Sequence, residues 1–125
     1  MDVVTAYFPE SNPKGAVKLR PCLVTKVLQN SETGEYACEV AFGTKNLKLI
    51  QRQGLDLIIQ NSTDLSAMGL SVATRFDLDP ETRAILLWNP AFFGCWTGKT
   101  TPKLCSLPLE YQKEFAFLTM RRMGV

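Results

Sequence analysis

Five short β-prone segments follow one another with turn formers between them: Leu23 to Leu28, Tyr36 to Phe42, Leu55 to Gln60, Ser71 to Leu78 and Arg83 to Trp88. Runs this short, bounded by turn signals, read as strands rather than helices. Asp2 to Pro9 adds an N-terminal strand, and Arg20-Pro21 leads directly into the apolar run Cys22-Leu23-Val24. Asn30-Ser31-Glu32-Thr33-Gly34 predicts a hairpin loop, and Asp79-Pro80-Glu81-Thr82 a second tight turn. The first loop makes the strand opening at Arg20 and the strand closing at Thr44 antiparallel neighbours. Arg20 and Thr44 are therefore expected at one end of the sheet.

A helix is predicted only at the C-terminal end. Pro108 suits an early helical position, and Leu109 to Met123 contains neither glycine nor proline. Tyr111, Phe115 and Leu118 recur at helical spacing, with Ala116, Met120 and Met123 as an adjoining apolar stripe. Arg121 and Arg122 complement the negative end of the helix dipole. The predicted fold is mainly β (α+β), a small antiparallel barrel with a C-terminal α-helix. With 125 residues and no repeat or linker, it forms one domain spanning residues 1–125.

The chain has no histidine. Ser-His-Asp and Cys-His chemistry, a histidine-pair ribonuclease and a histidine-ligated metal centre are thereby excluded. Proton transfer falls to Asp, Glu, Lys, Tyr or water, while arginine suits the stabilisation of developing negative charge. No clustered carboxylate motif implies a metal, and no cofactor is expected. The four cysteines, Cys22, Cys38, Cys95 and Cys105, lack ligand spacing and are expected as buried free thiols. No apolar run reaches membrane-spanning length, and the N-terminus has no basic-then-apolar leader pattern, so the expectation is a cytoplasmic protein without membrane association.

A formal charge of +2, from fourteen Lys and Arg against twelve acids, does not identify a nucleic-acid binder, but it permits a segregated basic face. Gly94-Cys95-Trp96-Thr97-Gly98-Lys99-Thr100 is one residue short of a phosphate-binding P-loop, and Pro102 blocks the helix that would follow. Asn89 to Cys105 reads instead as an apolar surface loop carrying Phe92, Phe93 and Trp96.

Pro21 biases Arg20 towards an extended backbone, which positions its guanidinium at the mouth of a buried strand. The order of an Asp-led apolar strand, a basic loop, Arg20-Pro21-Cys22-Leu23-Val24 and a strand ending in Gly43-Thr44 resembles the MazF/PemK family of bacterial toxins. Gly69-Leu70-Ser71-Val72-Ala73-Thr74-Arg75-Phe76 extends the likeness to about Leu78. The resemblance implies an SH3-like barrel, and an endoribonuclease cleaving single-stranded RNA by metal-independent 2′-hydroxyl attack. It also implies a homodimer controlled by an antitoxin with an acidic tail.

By that resemblance Arg20 contacts the scissile phosphate and Thr44 orients it, with Asp77 as candidate proton acceptor. Lys14, Lys18, Lys45, Thr74 and Arg75 are the expected RNA-binding residues. Two departures stand out. The loop from Gly15 to Arg20 is short and lacks the family's glutamate, and Thr74-Arg75 replaces Asp-Gln. Arg75 is expected to face the groove, because a buried unpaired arginine is costly; an alternative pairs it with Asp77 or Asp79 on the surface. Two further functions stay open: a non-catalytic relative that binds nucleic acid or protein, and a gyrase poison of the related CcdB type, whose C-terminal residues Met123-Gly124-Val125 match only trivially.

Overall fold

A computed structural model describes residues 1–8, 18–47 and 55–125. The elements are β1 (Asp2–Phe8), β2 (Lys18–Gln29), β3 (Tyr36–Thr44), β4 (Leu57–Ile59), α1 (Ser62–Met68), β5 (Thr74–Phe76), β6 (Ala84–Leu87), β7 (Lys103–Ser106) and α2 (Leu109–Arg122). Among the described residues the strands form a seven-stranded antiparallel sheet in the order β4-β5-β3-β2-β1-β7, with β6 also on β3. The sheet curls into a half-barrel, giving a mainly β, α+β fold with a C-terminal helix.

Alternation along the central strands buries both faces, because successive side chains point to opposite sides. Val3, Leu23, Ala41, Leu57, Ile59 and Phe76 turn into the main core, which Leu107 and Leu118 close from the C-terminal segment. Val4, Ala6, Cys22, Val24, Val40 and Phe42 form a second core on the opposite face, covered by Leu86 and Phe93. A one-residue slip of β2 would exchange its two apolar sets between cores, so β2 and β3 hold a defined register. That register is Cys22↔Phe42, Leu23↔Ala41 and Val24↔Val40, then shifts so that Lys26 faces Glu39. Thr25 sits in the resulting bulge, where its hydroxyl reaches the Glu39 backbone carbonyl (3.1 Å) and carboxylate (2.8 Å).

The Asn30–Gly34 loop forms as expected. The Asn30 side chain accepts from the Glu32 amide at 2.8 Å, and Gly34 adopts φ +75°, a conformation that favours glycine. The Asp79-Pro80 region is not a hairpin. β5 and β6 both pair with β3, at Gly43↔Phe76 and Val40↔Ala84, so they form one interrupted strand along the same edge. Between them Pro80–Thr82 makes a 3-10 turn, with the Asp79 carboxylate capping the Glu81 amide at 2.9 Å. Arg83 spans the break, donating to the Leu78 carbonyl at 3.1 Å and to Glu39 at 3.3 Å.

Two elements were not expected from the sequence. α1 is capped by the Asn61 side chain, which accepts from the Thr63 amide at 2.9 Å, and ends at Gly69 with φ +72°. β7 lies inside the segment read as loop and pairs with β1 through Val3↔Cys105. Within α2, Leu118 is buried and Tyr111 and Phe115 pack on the main core, while Phe117 and Met120 are exposed, as is Met123 just after the helix. Tyr111 donates its hydroxyl to Asp64 and so ties α2 to α1. Burial, reinforced by that carboxylate, raises the Tyr111 pKa.

The four cysteines are free thiols. Cys22 and Cys38 are buried, and Cys105 is half-buried. Cys95 departs from expectation by being exposed, because its loop turns it away from both cores. Burial raises the pKa of Cys22, Cys38 and Cys105, as expected of inert packing thiols. No helix among the described residues is long and apolar enough to cross a membrane.

Candidate functional site

The antiparallel β2–β3 pairing reaches Cys22↔Phe42, and Arg20 and Thr44 lie two residues beyond it on their strands, at the same end of the sheet. Both line a cleft of about 240 Å³, together with Lys18, Lys45, Thr74 and Trp96. Pro21 sits at the start of the buried run and also lines the cleft, and Arg20 projects from a stretch of β2 whose backbone is paired with β1 at Ala6. Gly43 lets the strands close up. A Cβ there would fall 2.8 Å from Thr74 Cγ2 and 3.0 Å from the Pro21 carbonyl oxygen, so only glycine admits this approach. The Thr44 hydroxyl accepts from the Asn46 amide at 3.2 Å, which turns the chain at the cleft rim and keeps Lys45 exposed.

The cleft's chemistry is one-sided. Lys18, Arg20 and Lys45 bring positive charge, Thr44, Ser71 and Thr74 bring hydroxyls, and Leu19, Leu70, Val72 and Trp96 form apolar walls. Among the described residues that line it there is no carboxylate. Such a surface attracts an anion carried on a partly apolar body.

Of the residues singled out by sequence, Arg20, Thr44, Lys18, Lys45 and Thr74 converge here. Lys14 lies outside the described residues. Asp77 does not line the cleft; it is half-buried, and its carboxylate accepts from the Asp79 amide at 3.0 Å, stabilising the turn after β5.

Arg75 requires a correction. Thr74 and Arg75 take opposite faces of β5, as alternation demands, but Thr74 is the one that faces the cleft. The Arg75 side chain is only 9% exposed and donates to Asp56 at 2.5 Å, so its partner is neither Asp77 nor Asp79. Its Nε also donates to the Asn46 carbonyl at 3.2 Å. The premise that burial would leave the guanidinium unpaired fails because Asp56, at the start of the neighbouring strand, meets it. Asp56 is 6% exposed and accepts in addition from Arg122 of α2 at 2.7 Å and from the Leu78 amide at 3.1 Å. Through Asn46, this node fixes the cleft rim without presenting its own charge there.

Trp96 is the cleft residue whose role the sequence did not reveal. It was legible only as one aromatic in an apolar loop, and no spacing connects it to Arg20. No family model matches the chain, and no curated protein matches it.

Proposed function

We propose that the protein is a toxin-type endoribonuclease that cleaves single-stranded RNA without a metal. The observation supporting this reading is the convergence of Arg20, Thr44, Lys18 and Lys45 in one cleft free of carboxylates among its described lining residues. In the proposed reaction the RNA supplies the nucleophile. The 2′-hydroxyl gives its proton to water as its oxygen bonds to phosphorus, the P–O5′ bond breaks, and water protonates the departing O5′, so that a 2′,3′-cyclic phosphate and a 5′-hydroxyl result. Arg20 stabilises the charge that accumulates on the phosphoryl oxygens, and its planar fork suits that task better than a lysine would. Thr44 orients the phosphate, and Lys18 and Lys45 hold the flanking backbone.

The active species is proposed to be a homodimer whose basic groove is occupied by the acidic tail of an antitoxin. Its support is the apolar surface left on α2, where Phe117 and Met120 are 60% and 52% exposed. A second reading, binding without cleavage, is favoured by one observation: Asp77 is held in a turn away from the cleft, which leaves no carboxylate base among the described lining residues.

Incubation of the purified protein with a long single-stranded RNA in excess chelator, followed by mapping of the new ends, separates the readings. Cyclic-phosphate ends produced in chelator support the nuclease. Intact RNA that is nonetheless bound supports the second reading. Cleavage that vanishes in chelator and returns with magnesium rejects the proposed mechanism.

A further inference from the structure

We infer that Trp96 is a base-stacking platform, so that the cleft takes a nucleotide whose base has been unstacked from its neighbours. The inference rests on the nucleic-acid reading given above. Trp96 packs on the main core while also lining the cleft, whose lining includes the apolar Leu70 and Val72 and the cations Lys18, Arg20 and Lys45. An indole backed in this way is held before any ligand arrives. Cations that track a phosphate chain beside an aromatic face form the recurring surface for single-stranded nucleic acid.

The loop that carries Trp96 is held in place by β1. The Tyr7 amide donates to the Phe92 carbonyl at 2.8 Å and the Thr5 amide to the Pro102 carbonyl at 2.9 Å. The buried Thr5 hydroxyl donates to the Gly94 carbonyl at 2.5 Å. Gly94 lies so close to β1 that a Cβ would fall 2.6 Å from the Tyr7 hydroxyl. The Lys99 amide closes a turn onto the Trp96 carbonyl at 2.9 Å, with Gly98 at φ +84°. The same anchors seat Phe93 over the second core. They deliver the indole to the cleft wall.

The second tryptophan, Trp88, lies against Phe93 with ring centroids 4.6 Å apart and does not line the cleft. Trp88→Phe therefore leaves Trp96 as the sole indole reporter without touching position 96. The experiment titrates this variant with a 2′-O-methyl oligouridine, which cannot undergo 2′-hydroxyl attack. Inorganic polyphosphate serves as a polyanion without bases, and binding is followed separately by competition against a labelled oligonucleotide. Stacking predicts that the oligouridine quenches Trp96 fluorescence and polyphosphate does not. Trp96→Ala should then bind roughly 5- to 150-fold more weakly, the worth of one base–aromatic stack, with Trp96→Phe partly restoring affinity. Oligouridine binding without quenching, or equal quenching by polyphosphate, overturns the platform and leaves the nucleic-acid reading standing. Absence of oligouridine binding overturns both.

Discussion

Two arginines flank the end of β3 and do opposite things. Arg20, at the start of β2, lines an open cleft with two lysines and a run of hydroxyls. Arg75, on β5 beside Thr44, is buried against Asp56 and fastens the rim through the Asn46 carbonyl. Both follow the same local rule, a cation on a short strand next to the same sheet end. Arg75 meets a buried carboxylate placed by another strand, whereas Arg20 stands on a wall whose described lining residues include no carboxylate. Burial against Asp56 makes Arg75 a structural residue, and position on the cleft wall is what makes Arg20 a candidate site residue. Sequence position alone does not distinguish the two cases.

The sharpest way to break this contrast is to remove the carboxylate. Asp56→Ala leaves two largely buried guanidinium groups, Arg75 and Arg122, without their shared partner. The expected loss is about 3–5 kcal/mol of stability, as for other broken buried pairs. Urea denaturation checks it, and a loss under 1 kcal/mol would mean the node is not structural.

Arg20→Ala should do the reverse. Arg20 is half-buried, so the stability loss should be about 1 kcal/mol, ordinary for a point substitution and well below that of Asp56→Ala. On the proposed reading, RNA cleavage should fall by about 10²–10³, the effect of losing one transition-state contact. A folded, fully active Arg20→Ala protein would detach the arginine from the site.

Gly43→Ala tests the close approach that lies between the two arginines. The added methyl meets Thr74 Cγ2 and the Pro21 carbonyl, so overpacking should reduce stability by about 1–3 kcal/mol. The displacement should also reach the cleft wall, lowering affinity for an oligonucleotide that Asp56 never contacts. Thermal melting alongside a binding titration distinguishes the effects, and unchanged melting would show that Thr74 and Phe76 yield without penalty.

The smallest effect concerns the half-buried ion pair of Arg83 with Glu39. The Thr25 hydroxyl, followed by Arg83, holds the Glu39 carboxyl below the usual glutamate range, against the opposing effect of burial. The unfolded chain then binds more protons than the folded one in the window between the two pKa values. This contribution to stability is fully present above the ordinary glutamate pKa and is lost as pH falls through the lowered value. Glu39→Gln should flatten the acid limb of stability against pH and leave the neutral region nearly level. An unaltered acid limb would show that other carboxylates carry it.

How much of this was readable in advance depends on sequence distance. The Asn30–Gly34 hairpin is a local signal, and it places Arg20 and Thr44 at one sheet end by register alone. The helix Leu109–Arg122 shows its apolar period without help from the rest of the chain. α1 carried legible caps in Asn61 and Gly69, but its seven residues are too few to display a helical period. β7 is four residues long with no marked alternation, and it exists because β1 offers it an edge to pair with.

Strand order along the hairpin, the buried run after Pro21 and the terminal helix follow from residues close together in the chain, where backbone stereochemistry and side-chain period act directly. The place of Arg75 and of Trp96 does not. Thr74 and Arg75 were bound to face opposite ways, yet which one met the cleft depended on Asp56, brought alongside by β4, and on Arg122, brought by α2. Trp96 reached the cleft because β1 holds its loop by the Thr5 and Tyr7 backbone amides. Alternation sets a side chain's face, but its partner is set by the free energy of the whole packed arrangement, in which a buried charge must be matched by a group that folding delivers from elsewhere.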